Sequence, residues 1–150
     1  MDELNISKFL PEFGKFLDGM DMFVRICVIA GPLALLGLGL YFLLAAPKEA
    51  NHSAGYRFRY GMAKARSWQF MQFLAGSVYS VVGLVMTVVM GILCVSLHRL
   101  DLMEMAISAI KLIIWQVAII VVATVGINVT VVVLFDSEGN RRSDFKGIKL

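Results

Sequence analysis

Five cations crowd one short stretch of the chain. Lys48, Arg57, Arg59, Lys64 and Arg66 fall within residues 47–70, with Glu49 as the lone acid among them. Guanidinium and ammonium groups gathered in this way pair with phosphates or carboxylates. Asn51 and Gly55-Tyr56 favour a turn, and from Arg57 to Tyr60 cation and ring alternate. In an extended segment that alternation puts Arg57 and Arg59 on one face and Phe58 and Tyr60 on the other. The rings can then wedge into a headgroup boundary while the arginines meet anionic groups, with Trp68 as an interfacial anchor. Binding is the chemistry this stretch offers.

Catalytic constellations are missing from the sequence. The two histidines, His52 and His98, have no partner by spacing, and no pair of carboxylates sits in an apolar run to serve as general acid and base. Cys27 and Cys94 each lie alone within apolar sequence, which reads as buried inert thiol rather than disulfide or metal ligand. Ser67 and Ser80 lack a positioned base, and no glycine-rich phosphate loop follows a strand pattern. Asp136 and Glu138 do not have the spacing of a calcium loop. No catalytic residue, metal or cofactor is expected, and the chain reads as a non-enzyme.

The elements that hold the basic stretch are apolar. Of 150 residues 59% are hydrophobic, and the charges are bunched instead of being spread as in a soluble domain. Residues 26–46, 73–97 and 112–135 are almost free of charge, and each run exceeds the roughly 20 residues that cross a bilayer core. Backbone groups in lipid must be satisfied internally, so helices are expected. The first run follows an acidic leader and precedes Pro47, so it reads as a retained span and not a cleaved signal. The fold class is therefore all-α: an integral membrane three-helix bundle over residues 23–135, with an N-terminal amphipathic helix in 1–22 and a tail over 136–150.

Smaller signals fill in this plan. Ile6, Phe9, Leu10, Phe13, Phe16, Leu17 and Met20 recur at helical spacing, and Pro11 suits a first turn, which starts that amphipathic helix near Leu10. Pro32 predicts a kink in the first span. Gly83, Thr87 and Gly91 form a small-residue groove for close helix packing, against another span or a second copy, with Gly76 and Ser80 continuing it. Gln116 and Asn128, with Thr124 and Thr130, are expected to face the bundle interior. Asp136 to Arg142 reads as a tight turn. The loop side and the tail together carry more Lys and Arg than the opposite side. Loop and C-terminus are thus expected in the cytoplasm, with the N-terminus outside.

The order of Pro47-Lys48-Glu49, Asn51, Gly55-Tyr56-Arg57 and Trp68 ahead of an apolar span resembles the SdpI family of bacterial membrane immunity proteins. The ending Phe135-Asp136-Ser137-Glu138-Gly139-Asn140-Arg141-Arg142 is similar to that of its short members. Phe58 stands where the family usually has Thr, and Asn128 where a Glu is common. The resemblance implies a bacterial plasma-membrane protein that protects against a membrane-active peptide toxin, or that sequesters a transcriptional repressor at the membrane. Asn51, Gly55, Tyr56, Arg57, Arg59 and Trp68 would form the recognition surface. Anionic lipid headgroups are the further expected partners, and nucleic acid is not. The alternative is a structural or accessory subunit, docked into a membrane complex or a homo-oligomer through Gly83, Thr87 and Gly91.

Overall fold

The computed structural model describes residues 6–50, 54–97 and 100–142. They form three helices, α1 (Ile6–Leu44), α2 (Ala65–Leu97) and α3 (Leu102–Leu134), packed as an all-α bundle. All three are long and apolar enough to cross a membrane, α1 through its segment Gly19–Leu44. The chain is a multi-pass membrane protein of three spans. Basic loop and C-terminal turn lie at one end of the bundle, the α2–α3 connection at the other.

Every helix outruns its apolar stretch. α1 is continuous over 39 residues, so residues 6–22 belong to the same helix as the first span and not to a separate helix starting near Leu10. Pro11 falls in its second turn. At about 1.5 Å per residue α1 is about 58 Å long, roughly twice a hydrocarbon core. Asp18-Gly19 stands where the spanning segment begins, yet the helix runs through it without a break. α3 begins at Leu102, ten residues ahead of its apolar run. Its early turns pack Met105 and Ala109 against Val28, Met90, Cys94 and Leu97, and this burial holds them helical. Lys111 is therefore a helical residue.

α1 and α2 approach through small residues. A methyl added to Gly39 would come within 2.4 Å of the Ser80 backbone nitrogen, and one added to Gly83 within 2.5 Å of the Leu36 nitrogen. At Gly76 it would meet Leu43 at 2.7 Å and the Gly39 carbonyl at 3.0 Å. No side chain fits there, which is what lets the two backbones meet. The groove on α2 thus belongs to Gly76, Ser80 and Gly83 and is filled by α1. Gly91 is not part of it: nothing lies within 4 Å of a methyl placed there. Thr87 turns inward on its own helix, donating to the Gly83 carbonyl at 2.7 Å.

α3 joins this pair differently. Five of its residues are buried, against twelve of α2. Pro32 explains one of its attachments. Lacking an N–H, it leaves the Val28 carbonyl without its helical donor, and Gln116 of α3 supplies one from Nε2 at 2.9 Å. Gly31 makes room, since a methyl there would sit 2.8 Å from Gln116 Oε1. Further along, Tyr79 and Thr124 share a hydroxyl bond at 2.8 Å, and Thr124 also donates to the Ile120 carbonyl at 2.7 Å. The polar residues at 116, 124 and 128 lie on one helical face turned to the bundle, as the cost of leaving them in lipid requires.

Candidate recognition site at the loop end of the bundle

The basic loop is built onto the first turns of α2. Gly55 adopts φ +102°, a conformation open to glycine, and even there a methyl would strike the Trp68 ring at 2.8 Å. The next residue is gripped by a side chain: Gln72 Oε1 accepts from the Tyr56 N–H at 2.8 Å, and Gln72 Nε2 donates to the Tyr56 carbonyl at 2.7 Å. A primary amide offers the same donor and acceptor as a peptide group, so Gln72 pairs with the loop backbone as a neighbouring strand would. Trp68 donates from Nε1 to the Pro47 carbonyl at 2.7 Å and Gln69 to the Lys48 carbonyl at 3.2 Å. Both ends of the loop are thereby tied to one helix.

Tyr56 carries the loop into the bundle. Its ring stands 6.0 Å from those of Phe42 and Tyr79, and its hydroxyl donates to Asn128 Oδ1 of α3 at 2.8 Å. Burial, with Tyr79 beside it, pushes the Tyr56 phenol well above its ordinary range, so it stays a neutral donor at any physiological pH. Arg57 and Arg59 are exposed, while Phe58 and Tyr60 turn the other way, ring centroids 5.8 Å apart. Those rings pack on the cluster of Trp68, Met71, Val131 and Phe135 instead of projecting into a headgroup layer.

Where α2 starts, Ser67 accepts from the Lys64 N–H at 3.3 Å and donates to the Gly61 and Lys64 carbonyls at 3.1 and 2.9 Å. A residue three places into a helix bonding back to the capping position closes the helix entry. The C-terminal turn docks here. Phe135 and Arg141 form an antiparallel bridge, and Asp136 Oδ1 accepts from the N–H groups of Glu138 at 3.0 Å and Asn140 at 2.7 Å. Chiefly the Asn140 amide holds the Asp136 carboxyl below the usual carboxylate range. Gly139, at φ +74°, sits so close to α2 that a methyl would meet Ser67 Oγ at 2.9 Å and the Lys64 nitrogen at 3.0 Å. Lys64 Nζ donates to Asn140 Oδ1 across this junction.

The sequence-predicted residues divide into two groups. Gly55, Tyr56 and Trp68 form the loop's foundation, and Trp68 is fully buried. It is not an interfacial anchor, because its ring underlies Gly55 and its N–H is used within the protein. Arg57 and Arg59 alone of the described set present themselves at the surface; Asn51 lies outside the described residues. Gln72 escaped sequence reasoning, although it follows Trp68 by one helical turn and so shares its face. Among the described residues no group of three or more His, Cys, Asp or Glu comes together. No protein-family model, curated protein or solved structure matches the chain.

Proposed function

We propose that the chain is a non-enzymatic membrane binding protein whose 47–70 loop holds a cationic face toward an anionic partner. One observation carries this reading: the Gln72 amide pairs with both backbone groups of Tyr56, directly ahead of exposed Arg57 and Arg59. Loop cations that only set topology require no fixed backbone. Here the backbone beneath them is fixed, which lowers the ordering cost of binding.

The resemblance to the SdpI family gives the partner its class: a membrane-active peptide toxin, with a sequestered repressor as the related signalling role. The membrane would be the bacterial plasma membrane. Arg141 and Arg142 lie at the same end as the loop cations, which supports a cytoplasmic loop and C-terminus and an outer N-terminus. The accessory-subunit reading would use surfaces that α1 leaves uncovered, Gly91 among them, since Gly83 is occupied.

Expression in toxin-sensitive cells tests the proposal. Survival should rise with the native chain and fall to the control level with Arg57→Ala, while the variant still accumulates in the membrane. A failure to protect against any membrane-active peptide would remove immunity from the reading. Stable co-purification with unrelated membrane subunits would favour the accessory role instead.

A further inference from the structure

Between the first turns of α2 and the docked C-terminal turn lies a cavity of about 650 Å³, outside the loop's own hydrogen-bonded core. Its walls are divided by chemistry. Lys64, Arg66 and Arg141 supply cations, Phe70, Phe73 and Phe135 supply rings, and none of its described lining residues is acidic. Of the two acids of the adjacent turn, Asp136 accepts from backbone amides and lies within electrostatic reach of Lys64, while Glu138 accepts from the Asn140 side-chain amide. The cavity stands where α2 passes from its polar entry into its apolar run, with Arg66 near the helix start and Phe73 two turns deeper and 64% exposed.

From this division we infer that the cavity is a binding site for a single anionic glycerophospholipid. The phosphate lies among Lys64, Arg66 and Arg141, and an acyl chain runs over Phe70 and Phe73 toward the bilayer interior. Charge complementarity selects the headgroup, and the order of cations then rings along α2 matches the order of phosphate then hydrocarbon in a leaflet. Phe70 and Phe135, whose centroids are 5.5 Å apart, close the floor. A soluble phosphate compound would meet the same cations but leave the ring-lined half in contact with water. That mismatch commits the site to lipid. The turn from Asp136 to Asn140 is the outer wall, so bound lipid would bridge α2 to the end of α3.

Native mass spectrometry of the full chain, purified in mild detergent, tests this with phosphatidylglycerol and phosphatidylcholine of matched acyl chains. Phosphatidylglycerol should be retained preferentially. Arg66→Gln and Arg141→Gln should each lower that retention about fivefold, as expected for about 1 kcal/mol per interfacial cation. Phe73→Ser should lower retention of both lipids. Lys48→Gln removes a cation of the same loop that does not line the cavity, and it should leave retention unchanged. Arg66 is exposed, so its variant keeps the fold even if the Arg141 variant does not. Equal retention of the two lipids would overturn the site. So would a loss with Lys48→Gln equal to that with Arg66→Gln, since diffuse surface charge would then suffice. Displacement of the lipid by sn-glycerol 3-phosphate would reassign the cavity to a soluble phosphate compound.

Discussion

The contact between α1 and α2 and the contact of α3 with both use opposite means in one membrane. α1 and α2 meet backbone to backbone, at Leu36 and Gly39 against Gly76, Ser80 and Gly83, and the Leu43 side chain seats directly on Gly76. α3 buries few residues and is held at separated points: Gln116 on Val28, Thr124 with Tyr79, Asn128 under Tyr56, and the turn that follows it on Ser67 and Lys64. Apolar burial cannot distinguish helix from lipid inside a bilayer, so association must come from close packing or from polar bonds. The first pair relies on close backbone packing, and the third helix adds polar bonds to a few apolar contacts at Met105, Ala109, Ile127 and Val131. The two attachments should therefore fail differently.

The largest effect is expected at the seam. Gly83→Leu places a side chain where the Leu36 backbone lies, and overpacking of this kind should cost about 3 kcal/mol or more, read by steric-trap unfolding in detergent or bicelles. A loss below about 1 kcal/mol would mean that the seam yields easily. Next comes Gln116→Leu, expected to cost about 1–2 kcal/mol because the Val28 carbonyl loses its donor. In a Pro32→Ala background α1 satisfies that carbonyl itself, so the cost should shrink, and the double-mutant cycle measures the difference. An unchanged cost would show that Gln116 acts by packing alone.

A smaller effect follows from pH at the end of α3. Asp136 has its pKa lowered by the turn, so its contribution is present above the ordinary carboxylate value and disappears as pH falls through the lowered one. Amide exchange at Glu138 and Asn140 should accelerate in that acid range, and in Asp136→Asn the rise should be absent. Smallest of all is Gly91→Ala. Its surroundings are open, so stability should stay constant or rise by up to about 1 kcal/mol through helix propensity. A loss there would reveal a partner at Gly91 and blur the contrast with Gly83.

Much of this architecture was legible, for reasons the individual residues make plain. Long uncharged runs required three helices, and Gln116 and Asn128 had to face inward because lipid offers them no partner. A threonine can instead bond its own helix, as Thr130 does to the Gly126 carbonyl on the exposed side. Helix ends were not legible from hydropathy, because Trp68, Met71 and Met105 extend burial past the apolar runs. Glycine spacing marked a stripe on α2 without marking how far α1 follows it, and Gly91 lies just over two turns beyond Gly83. At the site, the Gly55 turn and the Arg57–Tyr60 alternation could be read locally. Trp68 could not, since a buried and an interfacial tryptophan look alike in a sequence. Nor could Gln72, whose partner Tyr56 is 16 positions away and carries no side-chain signal of the bond.

Pro32 has one more consequence. By withdrawing a donor from α1 it creates an acceptor deep in the bilayer that the helix cannot use, and this acceptor acts as an address. Sliding α3 by one turn, about 5.4 Å, would bring Leu112 or Ile120 to Gly31 in place of Gln116 and leave the Val28 carbonyl bare in hydrocarbon. Neither neighbour offers a hydrogen-bond donor. A single proline thus helps to fix the register of a helix more than eighty residues away in the chain, together with the bonds of Thr124 and Asn128 further along.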